Sequence, residues 1–437
     1  MEQLEEWLRI PSMSSGGGRP EDLEAAANWA AACIADAGGT ADVLRTFENP
    51  LVIGRLRSRE PDAPTVMIYG HYDVQSADPV SDWESPPFEP TIRGDRLYAR
   101  GASDDKGNFF PLLYVACEMA EAGELPVNVR VLIEGAEETG GQAAVDWLAA
   151  DDEPTDAAIV FDSDMLDEKT PALTLGARGI VMFGIEVRTA PQDLHSGMYG
   201  GSVLNALHVV HQMVAAVLPG PDGRLPEPLR AGIVPAKPDE LDAWAKLPPG
   251  DEVIAEVGGR PLHDRAGAEY YERNWGDASV DVHGIAGGDA AQIRTQVPSS
   301  AQAKLSIRLA PGQTVAAAGA SVRRLLEDAI PPGAEVKIEV FSKGEPALFS
   351  PDSPAIRLAA EALEAANGVA PVLTRVGGSL PVLSVFSDRG IPAIVSGYAL
   401  PLDGIHGPNE SFRLESLRLG LASARALYNH LASLRDT

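Results

Sequence analysis

The run Pro64-Thr65-Val66-Met67-Ile68-Tyr69-Gly70 leads without a break into His71-Tyr72-Asp73. A short apolar stretch of this kind fits a strand buried on both faces, as in a parallel sheet. Val127–Ile133 and Ala157–Phe161 repeat the pattern, and Asn108–Ala122 reads as a helix between the first two. Strands alternating with helices imply an α/β layer with a mostly parallel central sheet. Residues 21–37 add an amphipathic helix that stops at Gly38-Gly39.

The texture changes near Arg178. Gly179–Arg188 and Ala301–Leu309 alternate like antiparallel strands with one exposed face. Between them, Pro219–Pro261 is rich in Pro and Gly and shows no repeat. From Glu345-Pro346 the chain returns to helix (Pro354–Ala366), strand (Ala393–Ser396) and a last amphipathic helix (Glu415–Arg435). The 437 residues exceed what one compact core usually organises. The reading is therefore one α/β domain, residues 1–176 and 347–437, interrupted by a smaller α/β domain at residues 177–346.

Composition narrows the function. Hydrophobic residues make up 45% and charged residues 22%, as in a water-soluble globular enzyme. The net charge of −28 argues against nucleic acid, whose phosphates such a surface repels. No apolar run reaches the length of a membrane span, and the chain opens on the acidic Met1-Glu2-Gln3-Leu4-Glu5-Glu6. The expectation is a cytoplasmic protein. Cys33 and Cys117, its two cysteines, lie in apolar helical patterns and read as core residues. Any metal must then be held by carboxylates and imidazoles.

Such residues gather where ligands bind in open α/β sheets, beyond the carboxyl ends of the strands. His71 and Asp73 follow the first apolar run, a spacing that suits a metal ligand and the carboxylate that orients it. By itself, His-x-Asp is more often a surface loop. Asp104-Asp105 stand just before a helix, where one aspartate could simply cap it; two in a row repel unless a cation or donors compensate. Glu134, Glu137 and Glu138 crowd the end of Val127–Ile133, between glycines. One such carboxylate can bind a metal while its neighbour accepts a proton from the attacking water. Asp162-Ser163-Asp164 follow Ala157–Phe161, and His406 lies in a late Gly/Pro loop. Together these strand ends offer a nitrogen and oxygen donor set that suits two divalent ions sharing a carboxylate, zinc above all.

Taken in order, HYD, ARGASDDKG, EGAEETGG, DLHSGMYGG, SIRLAP, RVGGSLPV and HGPNE resemble the co-catalytic di-zinc metallopeptidases. That family includes carnosinases, cytosolic non-specific dipeptidases, aminoacylases and glutamate carboxypeptidases. DLHSGMYGG and the long middle insertion resemble its carnosinase and dipeptidase branch. The resemblance implies that His71 binds one zinc and Asp73 orients it. It implies that Asp104 bridges both ions, with a cis peptide bond to Asp105. Glu137 is similar to the general base, and Glu138 and His406 to the ligands of the second zinc. For the remaining ligand the chain offers Asp162 and Asp164; the spacing to Pro171 and Arg178-Gly179 favours Asp162.

In the insertion, His195 is similar to a histidine that reaches across a homodimer into the partner's active site. Thr295, Arg308 and Ser379 match positions that hold the substrate's backbone and carboxylate. The implied fold is a zinc-peptidase catalytic domain with an inserted lid through which the chain dimerises. The implied reaction is hydrolysis of the amide bond of dipeptides or short peptides, by a water bridging two zinc ions (or manganese or cobalt). An N-acyl amino-acid deacylase or a carboxypeptidase with the same zinc site is the alternative. A di-metal phosphoesterase fits less well, since the chain has no Gly-rich phosphate loop of the familiar pattern.

Overall fold

A computed structural model describes residues 1–289, 291–292 and 294–436. It divides into two compact units. The first comprises Met1–Leu175, Phe349–Leu373 and Val385–Thr437; the second comprises Gly176–Leu348 and Thr374–Ser384.

In the first unit, strands lie side by side in the order Thr40–Leu44, Leu51–Leu56, Asn128–Glu134, Thr65–His71, Ala157–Phe161, Ala393–Ser396 and Ala172–Ala177. The four from Asn128–Glu134 to Ala393–Ser396 are mutually parallel. The flanking strands pair antiparallel. Thr65–His71 is buried at every position after Thr65, which is why its sequence is nearly continuous apolar residues. Helices Pro20–Asp36, Lys106–Ala122, Pro354–Asn367 and Leu414–Leu431 contribute Leu23, Ile34, Phe109, Leu113, Ile356, Leu363 and Leu427 to one core with the sheet.

Thr65–His71 is not the first strand of the sheet, as its apolar run suggests. Thr40–Leu44 and Leu51–Leu56 precede it as an antiparallel pair. The outer strand is half-exposed and carries little apolar signal, and Gly54 and Arg55 break the inner one.

The second unit is built on an antiparallel sheet in the order Ser279–Gly287, Ser300–Leu309, Gly179–Arg188 and Glu335–Gly344. Gly179–Arg188 alternates buried and more exposed residues along its length. Its inward Val181, Phe183 and Ile185 pack with Leu305 and Ile307 beneath Ala206–Ala215 and Val315–Asp328. The Pro/Gly-rich stretch contains two short helices, Pro238–Trp244 and Gly250–Glu256. Glu240 on the first of these pairs bidentately with buried Arg375 at 2.7 and 2.8 Å. Among the described residues, no helix is long and apolar enough to cross a membrane.

Candidate metal centre

The parallel register sets Glu134 beside His71 at the ends of adjacent strands. His71 is fully buried, and its Nδ1 lies 3.0 Å from the carbonyl oxygen of Asp73. A carbonyl only accepts, so Nδ1 carries the proton and Nε2 presents its lone pair. That Nε2 is buried with no hydrogen-bond partner among the described residues, 3.2 Å from Asp104 Oδ1 and 4.0 Å from Glu137 Oε2.

Beyond Glu134 the chain turns through a short 3₁₀ segment, Glu137–Thr139. The Asp73 carboxylate accepts from the backbone N–H groups of Glu137 (3.3 Å) and Glu138 (3.2 Å). It also lies 3.4 Å from His71 Nδ1, so one side chain holds both the imidazole and the glutamate turn.

The Asp104–Asp105 peptide bond is cis. Asp104 does not follow a strand of the large sheet, as the reading of successive strand ends supposes. It lies between the short strand Arg96–Tyr98 of a separate three-stranded sheet and the helix Lys106–Ala122. Asp105 occupies the N-cap of that helix without capping it through its side chain. Its carboxylate instead accepts from the His71 backbone N–H at 3.2 Å. A Cβ on Gly70 would lie 2.4 Å from the Phe109 ring and 2.8 Å from Asp105 Oδ2. Only glycine lets the strand end come this close.

Asp104 faces two ways. Its Oδ1 lies toward His71, and its Oδ2 is 2.9 Å from His406 Nε2. His406 has a left-handed backbone (φ 64°), and its Nε2 is also 3.2 Å from Glu138 Oε2. Among the described residues two groups of potential ligand atoms result, the atoms of each within 4.8 Å of one another: His71, Asp104 and Asp162, and Asp104, Glu138 and His406. Asp104 belongs to both. Asp162, directly after Ala157–Phe161, enters the first group; Asp164 enters neither and forms an isolated bridge with Ala399.

The electrostatics favour a cation. Burial pushes the Asp162 carboxyl well above its ordinary value; His71 opposes this, and Asp104, Glu137 and Glu138 add to it. Burial likewise raises Glu137. Asp104 is held low, against the cost of its burial, by the imidazoles of His406 and His71 that lie against its two oxygens. The carboxylates outnumber the imidazoles, and Glu138 Oε1, like His71 Nε2, is buried without a hydrogen-bond partner among the described residues. Orphaned donor atoms converging in an excess of buried negative charge fit divalent ions.

The other four candidates, His195, Thr295, Arg308 and Ser379, form two pairs in the second unit. His195 ends a two-residue strand paired with Gln296–Val297, next to Thr295, whose carbonyl accepts from Ser196 N–H at 2.9 Å. Arg308 Nη1 donates to Ser379 Oγ at 2.9 Å, and that hydroxyl donates to the Arg178 carbonyl at 2.6 Å. Burial, then the charge of Arg308, lowers the Arg178 guanidinium to about 10. Two crowded guanidinium groups suit an anionic group such as a carboxylate.

Sequence reading missed Gln75, whose Nε2 donates to Glu138 Oε2 at 2.9 Å. It also missed a buried pair, Arg100 and Glu410, although both stand inside quoted motifs.

A sequence model of peptidase family M20/M25/M40 matches residues 67–430. The chain belongs to this family. It is a metallopeptidase, with the mixed α/β fold and mostly parallel central sheet expected of it. Cys-Gly metallodipeptidase dug1 of Schizosaccharomyces pombe is 28% identical over 88% of this chain and 83% of its own length. Human Beta-Ala-His dipeptidase is 28% identical over 88% of this chain and 78% of its own length. The solved structure of the family's metallo-carboxypeptidase Sso-CP2 from Sulfolobus solfataricus superposes with a TM-score of 0.86 at 25% identity, covering 99% of this chain and 98% of that one.

Proposed function

We propose that this protein is a di-metal dipeptidase whose centre is organised by Asp104. The observation that carries the proposal is the pair of donor groups sharing that one carboxylate, with Glu137 beside them. His71, Asp104 and Asp162 would hold one ion, and Asp104, Glu138 and His406 the other. Two imidazoles among carboxylates favour zinc; manganese and cobalt suit the same donors. The bound ions supply the charge that polarises the amide carbonyl and makes water acidic enough to attack.

Glu137 accepts the proton of the attacking water and passes it to the leaving amine. Burial favours the neutral form of this carboxyl, as suits a group that must take up a proton. Asp73 fixes the tautomer and direction of His71. Arg308 and Ser379, with Thr295, would bind the substrate's backbone and free carboxylate, which selects short substrates. His195, from the partner of a homodimer formed through the lid, would stabilise the oxyanion. Cytoplasmic residence belongs to the same proposal, resting on the unpaired Cys33 and Cys117.

Dipeptide substrates are supported by the two dipeptidase relatives. The likeness to a carboxypeptidase supports a second reading, removal of a C-terminal residue from longer or acylated substrates. Hydrolysis rates on dipeptides with a free amine, β-alanyl dipeptides, N-acyl amino acids and longer peptides separate the two. The dipeptidase reading expects the highest kcat/KM on the free dipeptides; a preference for acylated or longer substrates overturns it.

A further inference from the structure

One buried ion pair binds three of the segments that carry candidate ligands. Arg100 and Glu410 are both buried, and Arg100 Nη1 donates to Glu410 Oε2 at 2.7 Å. The Glu410 carboxylate also accepts from three backbone N–H groups, those of Gly101 (2.9 Å), Ser103 (2.8 Å) and Asp104 (3.0 Å). On the other side of the pair, Arg100 Nη2 donates to the carbonyls of Ser76 and Gly407, each at 3.0 Å. Ser76 lies on the segment that leaves His71 and Asp73, and Gly407 follows His406.

A buried ion pair is weak evidence for stability, because desolvation offsets the attraction. What it offers and an apolar pair cannot is direction. A carboxylate has lone pairs for the guanidinium and for three N–H groups at once, whereas an amide keeps a single acceptor oxygen. Those N–H groups belong to the turn that presents Asp104 to both His71 and His406. Ligand atoms must sit within about 0.2 Å of their coordination distances, so a small shift of this turn is felt at both ions.

We infer that Glu410, oriented by Arg100, is a positioning residue for the metal centre: it fixes the backbone that carries Asp104 and ties it to the His71 and His406 segments. This inference rests on the di-metal reading above. It assigns to the Asn-Glu end of the late Gly/Pro loop a task separate from ligation by His406.

The test is metal affinity of the full chain, measured by calorimetric titration of zinc into demetallated protein, for wild type, Glu410→Gln and Asp151→Asn. Asp151 accepts from Arg130 at 2.6 Å in another buried ion pair, and Arg130 is otherwise hydrogen-bonded to Glu153 and Thr155 rather than to a ligand segment. Glu410→Gln should weaken zinc binding roughly 10–100-fold, with turnover regained at saturating zinc. Asp151→Asn should lower the melting temperature and leave zinc affinity unchanged. Wild-type affinity in folded Glu410→Gln overturns the inference, as does an equal loss in Asp151→Asn. If Glu410→Gln does not fold, Arg100→Lys decides, since it keeps the charge but loses the contacts to Ser76 and Gly407: the same loss of affinity is expected, and unchanged affinity overturns the inference. Wild-type protein that binds no zinc overturns the di-metal reading itself.

Discussion

The carboxylate of Asp73 accepts the backbone N–H of Glu138 at 3.2 Å while lying 3.4 Å from the Nδ1 of His71. A side chain fully buried between an imidazole and the glutamate turn sets the position of both. Asp73→Ala should therefore weaken metal binding roughly 10–100-fold and reduce turnover even at saturating metal, because His71 and Glu137 both lose their orientation. Asp73→Asn, which keeps an oxygen toward one N–H, should lose less. Metal titration and kcat on the same preparations check this; equal affinity in wild type and Asp73→Ala removes Asp73 from the account.

Glu137 and Glu138 are neighbours for which different tasks are proposed. Glu137→Gln removes the proton acceptor, so kcat should fall by roughly 10² or more with metal content near normal. Glu138→Gln removes a donor of the second group and should lower metal occupancy first. Elemental analysis beside kcat separates the two, and the reverse pattern exchanges their roles.

The two thiols should be inert in the folded protein. Burial, then the charges of Asp36 and Glu6, push Cys33 up to about 12, and burial pushes Cys117 up to about 12, from the ordinary thiol value of 9.0. At pH 8 only about one thiol in 10⁴ is then a reactive thiolate. Iodoacetamide should label neither until denaturant is added, read by intact mass. The folded thiols hold their protons more tightly than the unfolded ones. Their contribution to stability is therefore complete below about pH 9 and is lost as pH rises toward about 12. Rapid labelling of the native protein at pH 8 contradicts this.

Much of the candidate metal centre was legible in the sequence because buried parallel strands announce themselves as apolar runs. The polar residues just past His71's strand, Glu134's strand and Phe161 then stand out. The choice between Asp162 and Asp164 could not be read in this way. Strand geometry ends at Phe161, and the chain beyond it, where Asp164 bridges to Ala399, follows no fixed period. The pairing of Arg100 with Glu410 had no local signature, since the two stand far apart in the chain. The hairpin Thr40–Leu56 was lost for the opposite reason: an edge strand facing water need not be apolar. Nor does any change in composition mark Thr374–Ser384, which carries Ser379, as part of the second unit.

His195 tests the dimer. It is exposed, and among the described residues its Nδ1 accepts the nearby Gly197 N–H at 3.1 Å, which leaves Nε2 to act elsewhere. His195→Ala and Glu137→Ala should each be nearly inactive. Mixed after subunit exchange, half of the dimers are hybrids with one intact site if His195 acts across a two-fold interface. The mixture should recover roughly a quarter of wild-type activity. Tagged co-purification verifies exchange; hybrids with no activity above the parents contradict action across the dimer.

Hydrolysis by two ions that share Asp104 lies at the heart of the proposed mechanism. It is tested most directly by adding zinc stepwise to demetallated protein while dipeptide hydrolysis and bound metal are read together. No turnover is expected without metal, full turnover at two ions per chain, and loss of both bound ions in Asp104→Ala. Undiminished hydrolysis by metal-free protein, or saturation of activity and binding at one ion per chain, would contradict it.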